Sequence, residues 1–198
     1  MNWHEIKVAT LQKMVSADGN TIPQDKAATE YIAAMPQAAN EALALLCNAN
    51  RFLRQYAEVE AQASENGFDY YFDMTGIADF YELGEIEVYA MEGERIRTVS
   101  NVAVRAGRYI SFPEAGTYHV FYNAWPEPIT QKTSDKYELP LDPDVAVLLP
   151  LYMASQIYKD DDISMATVYR NEFDAARMEL RSRTYGTQRD TFISKSGW

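Results

Sequence analysis

The chain has 198 residues, 47% of them apolar and 13% aromatic, and a formal net charge of −11. That is enough apolar material for one sizeable core or two small ones, and it excludes a mainly disordered chain. The excess of carboxylates excludes a protein that grips DNA through a clustered positive surface, and the lone cysteine, Cys47, excludes a disulfide framework or a cysteine-rich zinc site.

The opening residues MNWHEIKVAT lack the basic and apolar regions of a secretory leader. No apolar run approaches the roughly 18 residues a membrane span needs. A soluble product of a reducing cytoplasm is expected. Charge is unevenly placed. From Gln55 to Glu94 there are eleven carboxylates and no Lys or Arg, whereas Ser164 to Trp198 carries six Arg/Lys against four Asp/Glu. Such an acidic surface repels DNA and lets the polymer slide past.

In chain order, residues 3–15 predict a short helix with Val8, Leu11 and Val15 on one side. The cluster Ser16-Ala17-Asp18-Gly19-Asn20 breaks it. A helix resumes near Gln24, and Pro36 ends it or starts the next, because proline is tolerated in a first turn but costs about 3 kcal/mol in an interior. Residues 36–62 then predict a long helix with Ala39, Ala42, Leu45, Leu46, Ala49, Leu53 and Tyr56 as its buried stripe. Cys47 falls within it as a buried, inert thiol.

From Asn66 the period changes. Aromatic and β-branched runs at 68–74, 85–89, 101–104, 108–112 and 117–125 alternate with Gly76, Gly84, Gly93, Gly107, Pro113 and Gly116. This pattern predicts an antiparallel sheet or small β-sandwich. Two helices follow. Asp142 caps the first, with Pro143 at its first position, and Val145, Leu148, Leu149, Tyr152, Met153 and Ile157 recur at helical spacing. The acidic turn 159–162 interrupts them, and Asp162 caps a second helix whose inner face is Met165, Tyr169, Phe173, Ala176 and Leu180.

The expected fold is therefore α+β. N-terminal (1–65) and C-terminal (140–183) helices pack into one base, a β-rich insertion occupies 66–139, and 184–198 forms an extended tail. Phe173, Leu180, Leu149 and Met153 should pack against Leu45, Leu46 and Leu53.

Chemistry is thinly represented. His4 and His119 have no carboxylate or cysteine at a recurring ligand spacing. Ser111, Thr130 and Ser134 lie in no nucleophile elbow, and Gly93 and Gly107 are isolated turn glycines. Asp160-Asp161-Asp162 lacks the alternation, glycine and terminal Glu of a calcium loop, so it reads as a helix stop and restart. No catalytic, metal or cofactor residue is expected, and hence no enzyme. The run Gly116 to Trp125 reads either as the two faces of one strand or as a sugar-stacking platform. In the tail, Tyr185, Phe192, Ile193 and Trp198, together with the basic Arg189 and Lys195, suit an arm that docks on a partner, for instance by adding a strand to its sheet edge.

The stretch DVAVLLPLYMASQIYKDDDISMATVYRNEFDAARMEL, preceded by EYIAAMPQAANEALALL, resembles head-to-tail connector (adaptor) proteins of tailed bacteriophages. The resemblance covers both helical zones well and the β-insertion only loosely. It implies a structural virion protein in the neck, made in the host cytoplasm. Twelve copies would form a homo-oligomeric ring beneath the portal protein and above a tail or stopper protein, with genome DNA passing nearby without sequence-specific binding. It also implies that the tail docks on the portal or on a neighbouring copy. The β-insertion is larger than in minimal members. A carbohydrate- or receptor-binding virion protein using the aromatic β-region is the alternative.

Overall fold

The structure is a computed structural model that describes residues 1–14, 22–23, 25–47, 53–63, 70–93 and 95–180. The tail residues Tyr185, Arg189, Phe192, Ile193, Lys195 and Trp198 lie outside the described residues, as do Val15 and Ala49. The chain is α+β, as its periodicities require, and it divides into two compact units. The first, mainly helical, takes the described residues up to Leu53, Ala78–Tyr81 and those from Asn123 onward. The second takes the described residues of Arg54–Ile77 and Glu82–Tyr122.

The helical unit starts with α1 (Trp3–Met14). Asn2 and Glu5 close a reciprocal capping box: the Glu5 amide donates to the Asn2 side chain at 2.9 Å, and the Asn2 amide to the Glu5 carboxylate at 3.0 Å. α2 (Lys26–Cys47) is capped by Asp25, which accepts from the Ala28 amide. Near the other end of the chain follow α3 (Pro143–Ala146), α4 (Leu149–Ile157) and α5 (Ile163–Glu179). α4 is the hub, packing against α5, α2 and α1. Its Leu149 and Met153 share one core with Ile6, Leu11, Met35, Ala39, Leu46 and Phe173, with Leu45 and Leu180 at the margin.

Three expectations change here. Pro36 neither ends nor starts a helix; it lies inside α2. The helix continues because Met35, Ala38, Ala39 and Ala42 around it are buried, and their packing outweighs one missing backbone bond. The predicted helix from Asp142 to Ile157 is broken after Ala146. Pro150 has no N–H to give the Ala146 carbonyl and its ring would collide with it, so a turn separates α3 from α4. On α5 the inner face is Ala166 and Phe173, whereas Met165 is exposed.

The segment after Trp125, expected as the end of the β-insertion, packs with the helices instead: Ile129 and Leu139 are core residues. Asn40 on α2 holds the Ile129 backbone at both ends, donating to its carbonyl and accepting from its amide, each at 2.8 Å. On α1, Lys7 donates to Asp135 at 2.6 Å, and the amides of Trp3 and His4 donate to the carbonyls of Tyr137 and Asp135.

The β unit is built on one curled antiparallel sheet of seven strands rather than a sandwich. The strands are β1 (Leu53–Ala63), β2 (Tyr70–Asp73), β3 (Phe80–Glu92), β4 (Arg95–Thr98), β5 (Ala103–Arg105), β6 (Tyr109–Phe112) and β7 (Gly116–Ala124). Their order across the sheet is β4-β3-β7-β1-β2-β6-β5. β1 is the largest correction. The helix expected to run to residue 62 stops at Cys47, and Leu53 and Tyr56, expected in its buried stripe, are strand residues, Tyr56 being 56% exposed. Alternation along β1 and β7 turns Val59, Ala61, Tyr118, Val120 and Tyr122 inward, with Val88, Ile110 and Phe112 also buried. Phe112 and Tyr118 stack there at 4.2 Å.

Candidate functional site

The same alternation that buries one face of the strands exposes the other. On β1, the residues opposite Val59 and Ala61 are Tyr56, Glu58, Glu60 and Gln62, all exposed. On β7, the residues opposite Tyr118 and Val120 are His119 and Phe121. The Tyr56 ring lies 4.9 Å from His119 and 5.6 Å from Phe121, tilted by 34° and 35°. Phe121 meets Tyr89 of β3 edge-on at 5.7 Å. The four rings thus form a continuous aromatic patch across three strands.

Carboxylates border the patch. Glu58 Oε2 lies 3.3 Å from His119 Nε2, and its side chain is 66% exposed. Glu87 accepts from the Tyr89 hydroxyl at 2.7 Å and lies 3.9 Å from the Arg54 guanidinium. Arg54, only 10% exposed, donates to the carbonyls of Leu83 and Glu85. These carbonyls flank Gly84, whose φ of 58° belongs to the left-handed region that glycine enters without strain. Burial lowers the Arg54 pKa, while Glu87 and Glu85 act to raise it. Arg54 is therefore an anchor between β1 and β3, not a free cation.

The predicted aromatic platform over Gly116 to Trp125 is thereby divided. Tyr118 and Tyr122 are core, His119 and Phe121 join the outer patch, and Trp125 belongs to the helical unit, where it meets Tyr81 edge-on at 4.2 Å. Tyr56, Glu58, Glu87 and Tyr89 were missed as site residues. Their signal was the period-two pattern Tyr-x-Glu-x-Glu at 56–60 and Glu-x-Glu-x-Tyr at 85–89.

Elsewhere the polar groups have structural work. His4 faces Asp135 at 3.5 Å. Asp161 accepts from the Tyr31 hydroxyl at 2.6 Å, and this bond is the main reason that the Tyr31 pKa is pushed up to about 12. Asp162 caps α5, accepting from the amides of Ser164 and Met165. Asp161 and Asp162 of the acidic turn are thus engaged by a long-range hydrogen bond and a helix cap. An open recess of about 500 Å³ is lined by Thr130, Lys132, Thr133, Ser134 and Lys136 among others. The hydroxyls of Thr130, Thr133 and Ser134 accept from nearby backbone amides and hold the loop's own turns. Among the described residues no group of three or more His, Cys, Asp or Glu is placed to hold a metal ion. No helix among them is long and apolar enough to cross a membrane.

A second surface lies in the helical unit. The helix repeat turns Val168, Ala175 and Met178 of α5 away from its buried Ala166 and Phe173, and Ile163 stands exposed as the first residue of the helix. Ile163 is 69% exposed, Val168 45% and Met178 80%. Val147, between α3 and α4, is exposed as well. No protein-family model matches the chain, and no curated protein is similar enough to count as a relative.

Proposed function

We infer that the chain is a non-enzymatic structural subunit of a phage virion. In this reading it is a head-to-tail connector that closes into a ring beneath the portal and leaves a channel for the genome. The observation that carries the reading is the outer side of α5, where Val168, Ala175 and Met178 are exposed, together with Ile163 exposed at the start of the helix. Apolar side chains exposed along one side of a helix are surfaces that another chain can cover. A closed ring repeats one heterologous interface, so this side of one subunit would meet a different side of the next. The resemblance of residues 30–46 and 144–180 to connector proteins supports the same assignment.

On that reading the ring holds twelve copies between the portal protein and a tail or stopper protein, and its place is the virion neck. The tail residues Tyr185, Arg189, Phe192, Ile193, Lys195 and Trp198 dock on the portal or on a neighbouring copy. Electron microscopy of the purified protein and of virions tests it. A ring of defined copy number at the head–tail joint is expected, and a monomeric particle in assembled virions would overturn it. Deleting 184–198 should leave the fold intact and abolish portal attachment; unchanged head-to-tail joining by the deletion variant would count against the docking role.

A further inference from the structure

The outer patch of the β unit is independent of the connector assignment, and its chemistry selects a ligand. Four rings linked in a row, His119 to Tyr56 to Phe121 to Tyr89, are bordered by carboxylates. Glu58 and Glu87 touch the rings, and Glu60 follows Glu58 on the same side of β1. Arg54 is already engaged by two carbonyls and Glu87, and between Gln55 and Glu94 the sequence supplies no other Lys or Arg.

An anionic polymer is repelled by such a surface. A neutral sugar gains the stacking and can donate hydroxyls to the carboxylates, but it has no net Coulomb attraction to them. A cation gains both, because the negative face of a tyrosine ring and the carboxylate fields attract it together. Among cations, a guanidinium is planar and stacks on a ring while donating to carboxylates, which an ammonium does less well. The unit already contains one such pairing: the Arg108 guanidinium lies 4.6 Å from the centre of the Tyr109 ring. Residues two apart on a strand repeat every ~7 Å. That is the spacing of Glu58 and Glu60, and of same-side residues in an extended peptide.

We propose that this face docks an extended, arginine-bearing segment of a protein partner. One guanidinium lies on the Tyr56 ring beside Glu58, and further arginines meet Glu60 and Glu87. The assignment stands or falls separately from the ring, since the isolated subunit suffices to test it.

The experiment is a titration of isotope-labelled full-length protein with a peptide of alternating arginine and glycine, read by backbone amide shifts. A second arm uses the same peptide with citrulline, a neutral isostere, in place of arginine, and a third uses a neutral oligosaccharide of glucose. Saturable shifts around Tyr56, Glu58, His119 and Phe121 are expected with the arginine peptide alone. Tyr56→Ala should weaken binding about three- to fivefold, the factor expected from one exposed cation–π contact, whereas Tyr56→Phe should retain it. Glu58→Gln should weaken binding and flatten its salt dependence, and Glu172→Gln on α5 should do neither. Equal binding of the citrulline peptide would overturn the proposal. So would indifference to Tyr56→Ala, equal effects of Glu58→Gln and Glu172→Gln, or saturation of the same residues by the sugar.

Discussion

Phe173 is fully buried and meets Tyr152 edge-on at 5.0 Å, while Leu149 and Met153 are equally inaccessible. Truncation there leaves a cavity that the helices cannot close. Phe173→Ala should cost about 3–5 kcal/mol and Leu149→Ala about 2–5 kcal/mol, measured by denaturant titration. Changes within about 0.5 kcal/mol, the range typical of surface positions, would mean the pairing of α4 and α5 is wrong. Burial raises the Cys47 thiol to about 11. It should therefore resist thiol reagents at pH 8 in the native protein and react only on unfolding. Asp135 is held below its ordinary carboxylate value chiefly by the hydrogen bond from Lys7. A carboxylate lowered in the folded state stabilises above its unfolded pKa of 3.8, and loses that contribution as pH falls through the folded value. Asp135→Asn should accordingly lose less stability than the parent between pH 5 and pH 2, judged by urea midpoints. Asp135 is about half exposed, so added salt should shrink the difference.

At the level of elements, short-range chemistry was legible where one residue decides the outcome. Asp162 caps α5 as its position before an amphipathic run implies. Asp162→Ala should cost about 0.5–2 kcal/mol, seen as a lower melting temperature. The β5–β6 hairpin turns on Ala106 and Gly107, both with positive φ (52° and 69°), closed by the Arg108 amide donating to the Arg105 carbonyl. Alanine is strained there and asparagine is favoured in such turns. Ala106→Asn should therefore raise stability, by about 0.5–1 kcal/mol by analogy with other turn substitutions; a loss would show that the turn is not formed as described. Where propensity and partners disagree, partners win. β1 reads Leu-Arg-Gln-Tyr-Ala-Glu-Val-Glu-Ala-Gln-Ala, rich in good helix formers. Yet it is a strand, because it lies between β7 and β2 and its small residues fill the inner face of the sheet.

For the whole molecule, net charge and its placement govern encounters more than fold. The cation-free stretch from Gln55 to Glu94 supplies β1 beyond Arg54, and all of β2 and β3, including the acidic border of the aromatic patch. Purified protein should show no tight, salt-sensitive binding of duplex DNA, tested by titration at low and high salt; such binding would contradict the placement of this stretch away from phosphate.

The sequence by itself determined the α+β class, the burial of Val8 and Leu11 on α1, the buried stripe of α4, Phe173 as the core residue of α5, and the cap at Asp162. These follow from local periodicity and single side chains, which act within a few residues. Only the tertiary structure decided that Pro36 is passed through, that residues 126–142 are pinned to the helices by Asn40 and Lys7, and that β1 is a strand. It alone assembled Tyr56, Tyr89, His119 and Phe121, because they come from three strands far apart in the chain. Their meeting depends on sheet order and register, and no local pattern encodes which strand becomes whose neighbour.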